Sequence, residues 1–301
     1  MTRRIVLLAL ALALLLPTLA LARKARPESA KAAPALTCPA SVVIGEPFVA
    51  RVSSSRPLKN ARIEFLGRSA PLALRQEGKA WAGFMVLGAD VLDANMLGGR
   101  PGRRVVLLRH SGGSVRAEVE LKTVPRPVES LDLDPAMVQP PAEALPRIAR
   151  ERGVVHQALA TASPVRLLRL PLHRPGQGEL SSEYGIGRIL NGIPKSPHRG
   201  LDLEAAIGDP VTAAADGVVL LSGELYYAGN CVYLDHGQGL VTMYFHLSER
   251  RVEPGQRVAR GQLLGLAGDT GRSTRAHLHF GVSALGRLVD PGPLLGYEVL
   301  P

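Results

Sequence analysis

Apolar and polar residues alternate with a period of two through much of this chain, in short runs broken by turn residues. In Ser114-Val115-Arg116-Ala117-Glu118-Val119-Glu120-Leu121 every second side chain is apolar, as a half-buried strand requires. Strand-like runs before it are Ser41 to Ile44, Pro47 to Val52, Ala61 to Leu66 and Arg104 to Leu108. Their spacing of about 8–12 residues predicts a small β-sandwich, immunoglobulin-like in type, over 38–122. Nine of the 24 prolines then fall between 123 and 175, so 123–176 reads as a linker. Within it only 145–161 has helix-like composition, with Pro146 tolerated in the first turn. Strand and turn signals resume at 177 and continue nearly to residue 301, so the predicted fold is mainly β.

The first residues follow another pattern. Arg3 and Arg4 precede an unbroken apolar run from Ile5 to Leu16, Pro17 breaks it, and Ala20-Leu21-Ala22 is a small-x-small site before Arg23. Residues 1–22 therefore read as a secretory signal peptide, with an uncleaved anchor as the alternative. Residues 23–37, rich in Ala, Pro and Lys, are expected to be a flexible lead-in. The protein is thus expected to be exported, periplasmic or extracellular, without stable membrane insertion after cleavage.

Charge divides the chain. Residues 23–164 carry 21 basic and 13 acidic side chains, whereas 165–301 carry 13 of each. A neutral second half argues against a nucleic-acid groove there, and 12 aromatic residues in all leave few stacking platforms. An anionic extracytoplasmic surface is a more natural partner of the basic half than nucleic acid, and a merely solvated basic face is the simpler reading. Two cysteines, Cys38 and Cys231, exclude a cysteine-based metal site; they could pair, but Cys231 lies in an apolar stretch that suits a buried free thiol.

Six of the eight histidines fall in the second half. On a strand, residues two or four apart share a face, so His277 and His279 project together with Leu278 and Phe280 opposite. His198 and Asp202 share a face if their segment is extended, with Gly200 leaving room between them, and Tyr244 and His246 share another. Nitrogen and carboxylate donors without cysteine fit Zn²⁺, and three ligands plus an open position mark a catalytic site. Each histidine alone reads more simply as a satisfied surface or core residue; the shared parity of the set is what points to a metal. His236, in Asp235-His236-Gly237-Gln238-Gly239, reads as part of a hairpin turn. The loop Gly268 to Thr274 lacks the Gly-Lys-Ser/Thr ending of a phosphate-binding loop.

Taken in order, several motifs look familiar. Ser181-Ser182-Glu183-Tyr184-Gly185, Asn191-Gly192-Ile193-Pro194, His198-Arg199-Gly200-Leu201-Asp202 and Tyr244-Phe245-His246-Leu247-Ser248 resemble the zinc metallopeptidases of the lysostaphin/LytM type. So do the stretch 252–262 and Gly271-Arg272-Ser273-Thr274 followed by His277-Leu278-His279-Phe280. The match covers about 177–295, and 38–122 is similar to the β-sandwich that precedes the peptidase domain in some secreted members. The resemblance implies an antiparallel β peptidase domain over 177–301 with a zinc-containing groove, and hydrolysis of peptide cross-links in peptidoglycan. By the family pattern His198, Asp202 and His279 would bind Zn²⁺, His277 would act as general base, and His246 would orient water and stabilise the tetrahedral intermediate. Tyr244 would either add an oxyanion hydrogen bond or serve packing. Arg275-Ala276 departs from the small residues that the family places before the HxH pair.

Two rivals carry other expectations. A non-catalytic, peptidoglycan-binding regulator of another cell-wall hydrolase would use the same fold, typically with metal ligands lost. A lipoyl or biotinyl carrier domain would fit the glycine spacing around 255–265, but it needs a lysine at a hairpin tip, and Lys195 is the only lysine in 165–301. The first half either targets the wall or covers the groove as an intramolecular regulator. A D-Ala to diaminopimelate cross-link is the first expectation for the bond cut, with glycine bridges as the alternative.

Overall fold

A computed structural model of the chain describes residues 33–93 and 102–296. The expected signal peptide and residues 23–32 of the lead-in lie outside the described residues. The end of that lead-in is not loose: Ala35–Thr37 is a strand antiparallel to Pro47–Ser54, and Leu36 turns inward to bury itself.

The fold is mainly β. Two sheets form from 35–122, one of four strands in the order Ala35–Thr37, Pro47–Ser54, Ala80–Gly88, Arg75–Glu77. The other orders Ser41–Val43, Gly113–Lys122, Gly102–His110, Arg62–Phe65 and Arg68–Pro71. Both contribute to one apolar cluster that includes Phe48, Ile63, Leu87, Leu108 and Leu121, with the Phe48 and Phe65 rings edge to face. The alternating run behaves as its pattern requires: Val119 and Leu121 are buried, while Glu118 and Glu120 are exposed.

Ala80–Gly88 is a strand that alternation does not reveal, because it is covered on both sides. Met85 and Leu87 face the N-terminal cluster, while Val86 joins the core of the C-terminal half and Phe84 packs against it. A Cβ on Gly88 would sit 2.4 Å from Val289 Cγ1, which measures how closely the two halves approach there.

The C-terminal half is built on a ten-stranded antiparallel sheet. Its middle runs Leu180–Ser182, Leu201–Glu204, His277–Ala284, Leu240–Arg250, Gly229–Asp235, Gly217–Leu225. One face is packed with Leu203, Leu234, Tyr244, Leu278 and Phe280. On the other side Ala158, Val155 and Leu159 of the helix Leu145–Leu159 pack with Cys231, Tyr233 and Met243; Pro146 lies in this helix's first turn. Both cysteines are free.

The segment read as linker is structured beyond that helix. Val128–Leu131 adds in parallel to Gly187–Leu190, which pairs antiparallel with Ile193–Lys195. The short helix Pro135–Val138 follows, with Asp134 Oδ1 accepting from the Ala136 N–H at 2.9 Å. Lys195 Nζ donates to Val138 O, and the Tyr226 hydroxyl donates to Ala136 O, so this segment is tied to two parts of the C-terminal half. Among the described residues no helix is long and apolar enough to cross a membrane.

Candidate metal centre

Three neighbouring strands set the site. Asp202 on Leu201–Glu204 pairs with His279 on His277–Ala284, which pairs in turn with Phe245 on Leu240–Arg250. Parity does the rest: Leu203, Leu278 and Phe280 enter the core, so Asp202, His277 and His279 share the opposite face. The Phe245 ring stacks on His279 with centroids 5.1 Å apart.

His198 is not on a strand. It lies in the loop before Leu201–Glu204, held by its N–H donating to Ile186 O and its carbonyl accepting from the Gly185 N–H. Gly200 lets that loop pass the site, because a Cβ there would lie 2.5 Å from His279 Nε2 and 2.7 Å from Phe280 O.

Asp202 Oδ1 lies 2.8 Å from His279 Nδ1 and 3.0 Å from His198 Nε2, and those two nitrogens are 3.0 Å apart. His198 Nδ1 is 2.8 Å from Glu183 O, a contact that needs its proton there and leaves Nε2 with a lone pair. A neutral His198 thus aims a lone pair at both Asp202 Oδ1 and His279 Nδ1, and one proton cannot satisfy all three contacts. A cation at their centre resolves the conflict. Two imidazole nitrogens and one carboxylate oxygen, all within 4.8 Å of one another, are a donor set that fits Zn²⁺.

The remaining histidines stand beside this set. His277 Nδ1 faces Arg275 O at 2.8 Å and His246 Nδ1 faces Thr270 O at 2.7 Å, so each ring is oriented by a backbone carbonyl with Nε2 left for the site. The two rings lie 4.7 Å apart, and His277 Nε2 is 3.6 Å from Asp202 Oδ1. Burial opposes ionisation of Asp202, but the His198 and His279 side chains beside it outweigh that and hold the carboxyl well below its usual range. Burial lowers His279 to about 4 and, with the neighbouring histidines, His246 to about 3, so both rings are neutral at ordinary pH.

The expected pairing of Tyr244 with His246 on one face does not hold. His246 has φ 64°, in the left-handed region, and the pairing of its strand with Gly229–Asp235 shifts register nearby. The break in alternation turns Phe245 and His246 both toward the site and leaves Tyr244 in the core. The Tyr244 hydroxyl accepts from the Ala214 N–H at 2.9 Å, a packing role that removes it from oxyanion stabilisation.

Spacing also missed the residues behind Asp202. Arg188 Nη2 reaches Asp202 Oδ2 at 3.2 Å and Ser182 Oγ at 3.0 Å, and Arg188 pairs with Glu129 at 2.7 Å. Asp202 thus gives one oxygen to Arg188 and the other to the histidines. Thr270 of the rejected phosphate-loop candidate orients His246 and ties its own hydroxyl to Leu247 O. His236, read as structural, stands apart, with Nδ1 on Asp216 O and Nε2 on Thr242 Oγ1, both at 2.7 Å.

Residues 196–291 match the family model for peptidase family M23. The chain is 46% identical over 105 residues to the peptidoglycan DD-endopeptidase ShyA of Vibrio cholerae, covering 34% of this chain and 24% of that protein. It is 47% identical over 83 residues to ShyC of the same organism, 28% of this chain and 19% of the relative, so it spans a quarter or less of both. A crystal structure from Pseudomonas aeruginosa assigned to peptidase M23 is 32% identical, with a TM-score of 0.65, and the match covers 84% of this chain and 95% of that one. The resemblance read from the motifs is borne out: this chain belongs to peptidase family M23.

Proposed function

We propose that the chain is an exported zinc metalloendopeptidase that hydrolyses peptide cross-links of bacterial peptidoglycan. The observation that carries this reading is the convergence of His198 Nε2, Asp202 Oδ1 and His279 Nδ1, with His277 and His246 beside them. In this reading those three atoms hold Zn²⁺, which when bound supplies Lewis acidity and an acidified water. His277, its Nδ1 proton committed to Arg275 O, takes the proton of the attacking water on Nε2 and later delivers it to the leaving amine. His246, neutral and with its Nδ1 proton on Thr270 O, accepts from that water on Nε2 and so orients it, which leaves no proton on that nitrogen for the oxyanion. Peptidoglycan as substrate is supported by the names of ShyA and ShyC, and D-Ala to diaminopimelate is the proposed bond, with glycine bridges as the alternative.

The proposed organisation is a signal peptide over 1–22, a lead-in to 37, a β-sandwich over 38–122, a connecting segment over 123–176 and the peptidase domain over 177–301. The basic first half then targets the wall or regulates the groove. Mass spectrometry of muropeptides released from purified peptidoglycan, with and without a chelator, tests the activity. The expected result is chelator-sensitive conversion of cross-linked dimers to monomers, with the fragments naming the bond. No conversion, with wall binding intact, would contradict the enzyme reading and favour a binding regulator.

A further inference from the structure

The N-terminal sheet and the chain entering the C-terminal half enclose a cleft of about 330 Å³, and none of its lining residues belongs to the histidine cluster. Arg51 and Arg75 reach it from the sheet, Arg166 and Arg169 from the entering chain, and Phe84 contributes to an apolar wall. Among the described residues no acidic side chain lines it.

Arg166 is the unusual member. It is 8% exposed, its guanidinium lies 4.4 Å from the Phe84 ring centroid, and its Nη1 is buried without a hydrogen-bond acceptor. Its backbone carbonyl accepts from Arg75 Nη2 at 3.3 Å, which brings a second guanidinium beside it. Burial and then the charge of Arg75 push its pKa down, and only exposed Glu77 acts in the opposite sense. A buried guanidinium with an unused donor beside a like charge costs folding free energy. An anion that accepts from that group and neutralises its neighbours removes the cost.

The charge count narrows the anion. Guanidinium forks match carboxylate and phosphate oxygens alike. Arg75, Arg166 and Arg169 against Glu77 leave more positive charge than one carboxylate offsets, whereas closely spaced phosphates fit the excess. We infer that this cleft binds a compact, multiply charged phosphate ligand, with Arg166 at its floor and Arg75 and Arg169 at its rim. An envelope lipid headgroup and a soluble phosphate compound share this chemistry. The inference stands on residues outside the metal centre and does not depend on peptidase activity.

Titration calorimetry of the full chain with inorganic pyrophosphate at about 0.15 M salt tests it, since screening there suppresses diffuse surface binding. One saturable site is expected, weakened about tenfold or more by Arg75→Ala/Arg169→Ala, because two charge-assisted partners are lost. Arg166→Gln should abolish binding; where that buried substitution unfolds the chain, the exposed rim variant decides. Co-sedimentation with phosphatidylcholine vesicles containing phosphatidic acid, lost in the rim variant, would name the lipid headgroup as the source. Pyrophosphate binding without vesicle binding would name a soluble phosphate. No saturable pyrophosphate binding, or unchanged affinity in the rim variant, overturns the inference.

Discussion

The C-terminal half buries histidine in two places, and it satisfies them in opposite ways. In the turn after Gly229–Asp235, both nitrogens of His236 have neutral partners, and the Thr242 and Tyr244 hydroxyls continue the network to the Ala214 N–H. That network is closed and needs nothing further. Around Asp202 Oδ1, three polar atoms approach within about hydrogen-bond distance of one another while the proton of His198 is already spent on Glu183 O. Burial is common to both places; convergence without enough protons belongs only to the second. That difference separates a structural histidine from a candidate ligand.

Breaking the second place should have the larger consequences. Asp202→Ala is expected to remove both bound zinc and turnover to background, read by elemental analysis and muropeptide release. Arg188→Met should weaken zinc about 10–100-fold, as loss of a group orienting a ligand commonly does, with little change in the melting of the metal-free chain. A chelator competition titration checks this, and unchanged affinity would remove Arg188 from the account of Asp202. His236→Ala should leave zinc content unchanged and cost about 1–3 kcal/mol of stability, because it strands buried partners. Denaturant unfolding measures that.

The smallest effect is one of pH. Burial holds the His236 pKa below its ordinary value, so the unfolded chain takes up this proton before the folded one. Its contribution to stability is present above about pH 6.5 and declines as pH falls from there toward the folded pKa. Comparing unfolding of the wild type and His236→Asn across that range should show a shallower acid slope in the variant.

How much of this was legible depended on where each signal lies. His277-Leu278-His279-Phe280 declared its two faces because the strand is regular and one face is core. Tyr244 and His246 misled for the opposite reason: a left-handed residue breaks period two, and no spacing announces it. Ala80–Gly88 escaped because a strand covered on both faces has no alternation to read. Val128–Leu131 was hidden by the surrounding prolines and by its short length, and with it went Glu129. The ion pair of Glu129 with Arg188 joins residues far apart in sequence, so only the fold brings it behind Asp202.

The central claim is that neighbouring histidines on one strand have divided work, His279 holding the metal and His277 moving the proton. Zinc content and muropeptide turnover, measured together on His277→Ala and His279→Ala, test it most directly. The expected result is that His277→Ala keeps one zinc per chain and loses turnover by about 10²–10⁴-fold, the usual worth of a general base. His279→Ala should keep neither. A His277→Ala chain without zinc beside a zinc-loaded His279→Ala chain, or full turnover in either variant, would contradict the assignment.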